Sequence, residues 1–141
     1  MSVKFSVVAR KNPSKSSEPA KFYAQAQSRG DMTFDKLCKD VDSRCTATKA
    51  DVSAALNGCL TTMEQALSDG DIVRLGDFGS FQVALSSKGS ETEKEFNSSM
   101  IRKARISFRP GKLLTDMLKT LQYSQVPKLP VKVTNGGNEV G

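Results

Sequence analysis

The chain contains no histidine, and its 141 residues include only three cysteines. Without histidine the commonest general base, the usual serine-protease triad and the common histidine-containing zinc sites are all missing. Chemistry is not thereby forbidden, but its favourite residue is absent. Cys38, Cys45 and Cys59 are odd in number and form no C-x-x-C pair. With no secretory leader ahead of them, they read as reduced, small buried residues of a cytoplasmic protein. No stretch approaches the roughly 20 apolar residues of a membrane span, so no membrane partner is expected. Carboxylates are plentiful, yet they fall on helix surfaces, in a helix first turn or in a polar segment. No paired-carboxylate cleft and no phosphate-cradling glycine loop is visible. The string Gly70–Ser80 contains D-F-G, but every other kinase element is missing and the chain is too short for one. The expectation is a protein that is not an enzyme and holds no cofactor or metal.

What the chain does have is positive charge, +6 net with a pI near 9.3, which favours anionic partners such as nucleic acid. The distribution says more than the total. Residues 1–30 hold six Lys/Arg against one acid, residues 31–69 hold four against seven, and residues 86–123 hold eight against four. Within the last segment, Asn97 to Lys112 carries Arg102, Lys103, Arg105, Arg109 and Lys112 and no Asp or Glu. Such a run supplies phosphate contacts without carboxylates competing for them. Cations on a solvated strand that merely keep an edge from aggregating would give the same composition.

The length suits a single fold unit with tails. Val3, Phe5 and Val7 alternate with polar or small residues, as do Phe22, Ala24 and Ala26 after the Pro/Ser-rich break at 12–19. Two short strands are predicted, the second ending at Arg29-Gly30-Asp31, a turn in this setting and not an adhesive signal. Thr33 is placed to cap a short helix bearing Phe34, Leu37, Cys38 and Val41. Thr48 caps a longer one, with Asp51 in its first turn, where the helix dipole favours an anion. Val52, Ala55, Leu56, Cys59, Leu60, Met63 and Leu67 form its apolar stripe, and Gly70 is its stop. Gly58 in mid-helix costs about 1 kcal/mol relative to Ala, marking either a close helix contact or a tolerated defect.

A hairpin follows, with Val73 and Leu75 on one strand, Phe81, Val83 and Leu85 on the other, and Gly76-Asp77 as a two-residue turn. Residues 86–99 are polar and read as an exposed loop or arm. In the next strand Ala104, Ile106 and Phe108 face one way, and Lys103, Arg105, Ser107 and Arg109 the other. Pro110 is predicted at the first position of a final helix striped by Leu113, Leu114, Met117, Leu118 and Leu121. Residues 1–123 thus form one domain, 1–30 an N-terminal strand extension and 31–123 the core, with 124–141 a flexible tail.

The hairpin residues Gly70, Val73, Leu75, Phe78, Gly79 and Phe81, followed by Phe108-Arg109-Pro110-Gly111-Lys112, resemble the HU/IHF family of bacterial histone-like DNA-binding proteins. The likeness covers roughly residues 33–122, and the N-terminal strands resemble the extended form found in Bacteroides and relatives. It implies an α+β dimeric fold: two N-terminal helices, a β-hairpin with a protruding arm, a short C-terminal helix and the two-strand extension. It also implies an architectural, minor-groove mode of binding double-stranded DNA in the nucleoid. The partner would be DNA, with a second copy, or a paralogue, completing the dimer. The expected DNA contacts are Arg102, Lys103, Arg105, Arg109 and Lys112, helped by Lys88 and Lys94 in the arm.

Three departures stand out. Asp77 replaces the glycine that usually precedes Phe-Gly. About 30 residues precede the first helix. The arm lacks the family's proline wedge and carries Glu91, Glu93 and Glu95, which repel phosphates at short range. Phe96, Met100 or Ile101 could stand in as a wedge or pack against the sheet or a partner. The departures in the arm motivate an alternative reading, a dimeric scaffold or protein-interaction module with weak or no DNA bending.

Overall fold

The structure, a computed structural model, describes residues 1–128. In chain order its elements are β1 (Val3–Arg10), β2 (Lys21–Gln27), α1 (Phe34–Asp42), α2 (Lys49–Ser68), β3 (Val73–Arg74), β4 (Gly79–Ser87), β5 (Ile101–Pro110), α3 (Lys112–Lys119) and β6 (Tyr123–Gln125). They group into two compact units, Met1–Asp31 with residues 121–128, and Met32–Thr120. The architecture is α+β, as the sequence pattern and its resemblance implied.

In the first unit β1 is the centre of a three-stranded sheet, antiparallel to β2 and parallel to β6. The register sets Phe5 opposite Ala26, Val7 opposite Ala24 and Ala9 opposite Phe22, so the two predicted alternations fall on one face. Ser6 is on the other face, fully buried, and its hydroxyl oxygen accepts from the Gln27 amide at 2.7 Å. Here the predicted tail needs correction at its start. Tyr123–Gln125 pair with Val3–Phe5, and the Val126 N–H donates to the Phe5 carbonyl at 2.8 Å. The rest of that expectation, from 129 to 141, lies outside the described residues.

In the second unit both helix starts are fixed by threonine side chains. The Thr33 hydroxyl accepts from the Lys36 N–H at 3.2 Å. At α2 the arrangement is reciprocal. Thr48 Oγ1 accepts from the Asp51 N–H at 3.2 Å while the Asp51 carboxylate accepts from the Thr48 N–H at 3.1 Å, which satisfies two donors that a helix end leaves unpaired. The two helices are also tied by an ion pair of Lys49 with Asp35. Hydrogen bonding to that carboxylate, reinforced by its charge, holds the Lys49 ammonium above its ordinary pKa of 10.5. Cys38 and Val52 are the only buried apolar residues among those described, at 1% and 8% exposure. Cys45 and Cys59 are exposed, so the expectation that all three thiols are buried holds only for Cys38.

The second sheet has the order β3-β4-β5 and is antiparallel throughout. Its β3–β4 connection differs from the predicted two-residue turn. Leu75 and Gly79 close the hairpin through a Leu75 N–H to Gly79 C=O bond of 2.8 Å, and Gly76–Phe78 form a three-residue 3₁₀ turn between them. Pro110 is likewise not in the helix. It ends β5 opposite Gly79, and α3 starts after Gly111. The reason is contact. The Gly111 N–H donates to the Phe78 carbonyl at 3.0 Å, and a Cβ at Gly111 would lie 2.7 Å from the Gly76 carbonyl oxygen. The turn and the start of α3 therefore touch backbone to backbone, which leaves room for glycine alone.

Candidate nucleic-acid interface

Residues directly opposite in an antiparallel ladder share a face of the sheet. Phe81 pairs with Phe108, Val83 with Ile106 and Leu85 with Ala104. These make the apolar face, on which the Phe81 and Phe108 rings sit 4.9 Å apart. The opposite face carries Ser80 with Arg109, Gln82 with Ser107, Ala84 with Arg105 and Ser86 with Lys103. Arg74 of β3 pairs with Ser80, so Arg74, Ser80 and Arg109 form one rank across all three strands. With neighbouring strands about 4.8 Å apart, the two arginine backbones stand about 9.6 Å from each other. Ile72, Arg74, Ser80, Gln82, Ser107 and Arg109 line a cavity of about 100 Å³.

No carboxylate lines that cavity, and the face presents guanidinium, amide and hydroxyl donors. Along β5, Lys103 and Arg105 are about 6.6 Å apart and Arg109 about 13 Å further on. Two planar guanidinium forks flanking a hydroxyl match the acceptor oxygens of a phosphate, since arginine binds such groups bidentately.

The seven residues expected to contact DNA are thus divided. Lys103, Arg105 and Arg109 lie together on this face. Arg102 does not join them: next to Lys103 and two residues before Ala104, it alternates away from their face, and at this point the register jumps from Ser86–Lys103 to Ser87–Ile101. The extra residue is Arg102, held in a β-bulge, and the jump also moves Ile101 onto the apolar face. Lys112 opens α3 with its ammonium on the Asp116 carboxylate at 2.6 Å. Lys88 follows β4, where its N–H donates to the Met100 carbonyl at 2.9 Å. Lys94 is flanked by Glu93 and Glu95 in a 3₁₀ turn.

Residues 88–100 do not extend the two strands as a ribbon. That Lys88–Met100 bond closes them into a loop built from two short 3₁₀ turns, Glu93–Glu95 capped by the Thr92 hydroxyl and Ser98–Met100 capped by the Asn97 side chain. The protruding arm is in this respect a compact acidic loop. Phe96 at its centre is 41% exposed. The sequence reading set Ser107 on this face but missed Arg74, Ser80 and Gln82. A two-residue strand carries too little periodicity to be oriented, but Arg74 directly follows the inward-facing Val73, and that alternation was its available signal.

The opposite, apolar side of the sheet meets α2. Leu60, Met63, Leu67, Phe81, Val83 and Ile106 border an open apolar hollow of about 440 Å³. Leu60, Leu85 and Ile106 are each more than 60% exposed. Among the described residues there is no group of three or more metal-ligating side chains, and no helix is long and apolar enough to cross a membrane.

Comparison with known proteins agrees with this fold. The model of the family described as HU-HIG, "HU domain fused to wHTH, Ig, or Glycine-rich motif", matches residues 1–125. DNA-binding protein HU of Thermotoga maritima is 32% identical over 90 residues, which is 62% of this chain and all of that protein. A structure of Anabaena HU in complex with DNA matches at a TM-score of 0.50 and 26% identity, covering 63% of this chain and 99% of the other. A solved Bacteroides vulgatus protein, assigned there to bacterial DNA binding, matches at a TM-score of 0.63 and 12% identity. That match covers 92% of this chain, which spans half the length of the Bacteroides protein.

Proposed function

The chain belongs to the HU-HIG family, and on that footing we propose that it binds double-stranded DNA with little sequence preference through the polar face of its β3-β4-β5 sheet. The observation that carries this reading is the carboxylate-free rank of Arg74, Ser80 and Arg109, continued along β5 by Arg105 and Lys103. Base edges in the minor groove and phosphates along it offer acceptors, and this face offers donors. The reading is one of binding, without catalysis, and places the protein on the nucleoid.

A dimer completes it. The hollow between α2 and the apolar sheet face is where a second copy fits, since Leu60 and Ile106 stand uncovered there. A light-scattering mass equal to one chain at micromolar concentration would refute the dimer.

The test of DNA binding is the triple substitution Lys103→Ala, Arg105→Ala, Arg109→Ala, assayed by gel shift on a 30-base-pair duplex across a salt series. Each phosphate contact contributes about 0.9 to the slope of log affinity against log salt. The triple variant is expected to flatten that slope by about 2.7 per bound protomer. An unchanged slope would transfer support to the scaffold reading, which the acidic loop of Glu91, Glu93 and Glu95 favours.

A further inference from the structure

The N-terminal sheet carries positive charge that the interface described above does not use. Of its six Lys/Arg within residues 1–30, only one forms an ion pair among the described residues, Lys15 with Glu18 at 3.5 Å. At the loop end of the sheet Arg10 of β1 stands directly opposite Lys21 of β2. Like charges so placed destabilise a strand pair, with Cβ atoms only about 5 Å apart. Lys11 follows at once. Among the described residues none of Arg10, Lys11 and Lys21 forms an ion pair. The other carboxylate of this segment, Asp31, lies beyond the far end of β2.

Tyr23 shares the face of Arg10 and Lys21, because it pairs with Val8 one rank along. Its ring is 49% exposed, and Arg10, Lys11, Asn12 and Tyr23 border a shallow hollow of about 270 Å³. Keeping the sheet edge from aggregating would need only one of these cations. Setting two against each other with a third alongside adds repulsion that a bound polyanion relieves. A lipid surface fits less well, since membrane-surface elements set cations beside inserted apolar groups. The most exposed apolar ring nearby, Phe22 at 73%, is on the opposite face, paired with Ala9. A cationic patch with an exposed aromatic ring instead suits the sugar-phosphate backbone of nucleic acid.

We propose that Arg10, Lys11 and Lys21, with Tyr23 beside them, form a second nucleic-acid contact, on a unit of the chain distinct from the β3-β4-β5 face. The proposal rests on the DNA-binding reading and adds a contact carried by the other unit. Its test uses the full chain carrying Arg10→Ser, Lys11→Ser and Lys21→Ser, with affinity for a 30-base-pair duplex measured from 50 to 200 mM salt. If each cation holds one phosphate, the slope falls by about 2.7 per protomer, so the affinity loss over this range shrinks by about 40-fold. A slope unchanged from the parent while the parent binds overturns this proposal alone. A parent that does not bind at 50 mM salt overturns the DNA reading itself. Weakened binding to phosphatidylserine vesicles with an unchanged DNA slope also overturns the proposal and assigns the patch to lipid. The single change Lys21→Glu separates binding from folding. It replaces a repulsive cross-strand pair by an attractive one, so the melting temperature is expected to rise while DNA affinity falls. A rise in melting temperature with DNA affinity preserved would reduce the cluster to a structural feature and overturn the proposal.

Discussion

Replacing Gly79 by alanine tests whether the Phe-Gly turn and the Pro-Gly-Lys helix start hold each other in place. Gly79 is buried, with φ +136° and ψ −162°, a region populated essentially by glycine alone and costing other residues about 1–3 kcal/mol. The added Cβ would also meet the Arg109 carbonyl oxygen, Phe108 Cε2 at 2.8 Å and the Gly111 nitrogen at 3.0 Å. Two of these are backbone atoms of the strand end that leads into α3, so no side-chain rotation relieves the overlap. Overpacking of that kind costs typically 1–3 kcal/mol. The expected loss is therefore about 2–6 kcal/mol, against the 5–15 kcal/mol that holds an ordinary domain together. Urea denaturation followed by far-ultraviolet circular dichroism, at matched protein concentration, measures it. A Gly79→Ala variant within about 1 kcal/mol of the parent, too small for either mechanism, would refute the interlock. Because Ser80 and Arg109 adjoin the clash, the surviving folded variant should also bind duplex DNA less tightly.

Three further outcomes are expected. Arg74→Ala should lower the salt slope of DNA binding by about 0.9 per protomer, whereas Lys112→Ala should leave it unchanged because Asp116 already occupies that ammonium; gel shifts in a salt series compare them. Gly58→Ala should stabilise the protein by about 1 kcal/mol in denaturant melts, since nothing lies within 4 Å of the new Cβ; a loss instead would place a partner's backbone against that part of α2. Lys49→Met should destabilise the protein at neutral pH but not far into the alkaline range. The raised Lys49 pKa means its pairing with Asp35 contributes fully below the ordinary value of 10.5 and is lost as pH rises through the folded value. Melting of parent and variant at pH 8 and pH 11 reads the difference, and an equal gap at both would remove the ion pair from the explanation.

What the sequence disclosed and what it withheld divide by range. Thr33 and Thr48 were legible as caps because a helix start needs only four residues of context, and the alternation of Ala104, Ile106 and Phe108 set the two faces of β5. Ser124 and Gln125 carried no such signal. Their partner is β1, at the other end of the described chain, and two residues without a period look like tail. The bulge at Arg102 was hidden for a similar reason, since a register jump is a property of two strands that neither displays alone, but alternation with Ala104 already set Arg102 off the face of Lys103 and Arg105. The pairing of Lys112 with Asp116 was different in kind. Its i,i+4 spacing stood in the sequence, as a partner open to Lys112 besides phosphate.

The charge along the β4–β5 hairpin is graded, and the gradient bears on how DNA would lie. At the turn end, Arg74 and Arg109 flank Ser80 with no carboxylate lining their cavity. Arg105 and Lys103 continue toward the loop end, where Glu91, Glu93 and Glu95 collect against Lys88 and Lys94. A duplex on the polar face therefore meets attraction that strengthens toward the turn and repulsion that grows toward the loop. A long, cationic arm would draw DNA outward along the hairpin and around it. A short loop closed by the Lys88–Met100 bond, bearing three carboxylates and no proline, would instead keep the hairpin's share of the contact on the sheet. Binding of that kind needs no wedge between bases. A circularisation assay on short duplexes discriminates the two: confinement to the sheet predicts no gain in ring closure at protein concentrations that saturate binding, whereas a gain would mean that Phe96 or a neighbouring loop residue kinks the helix after all.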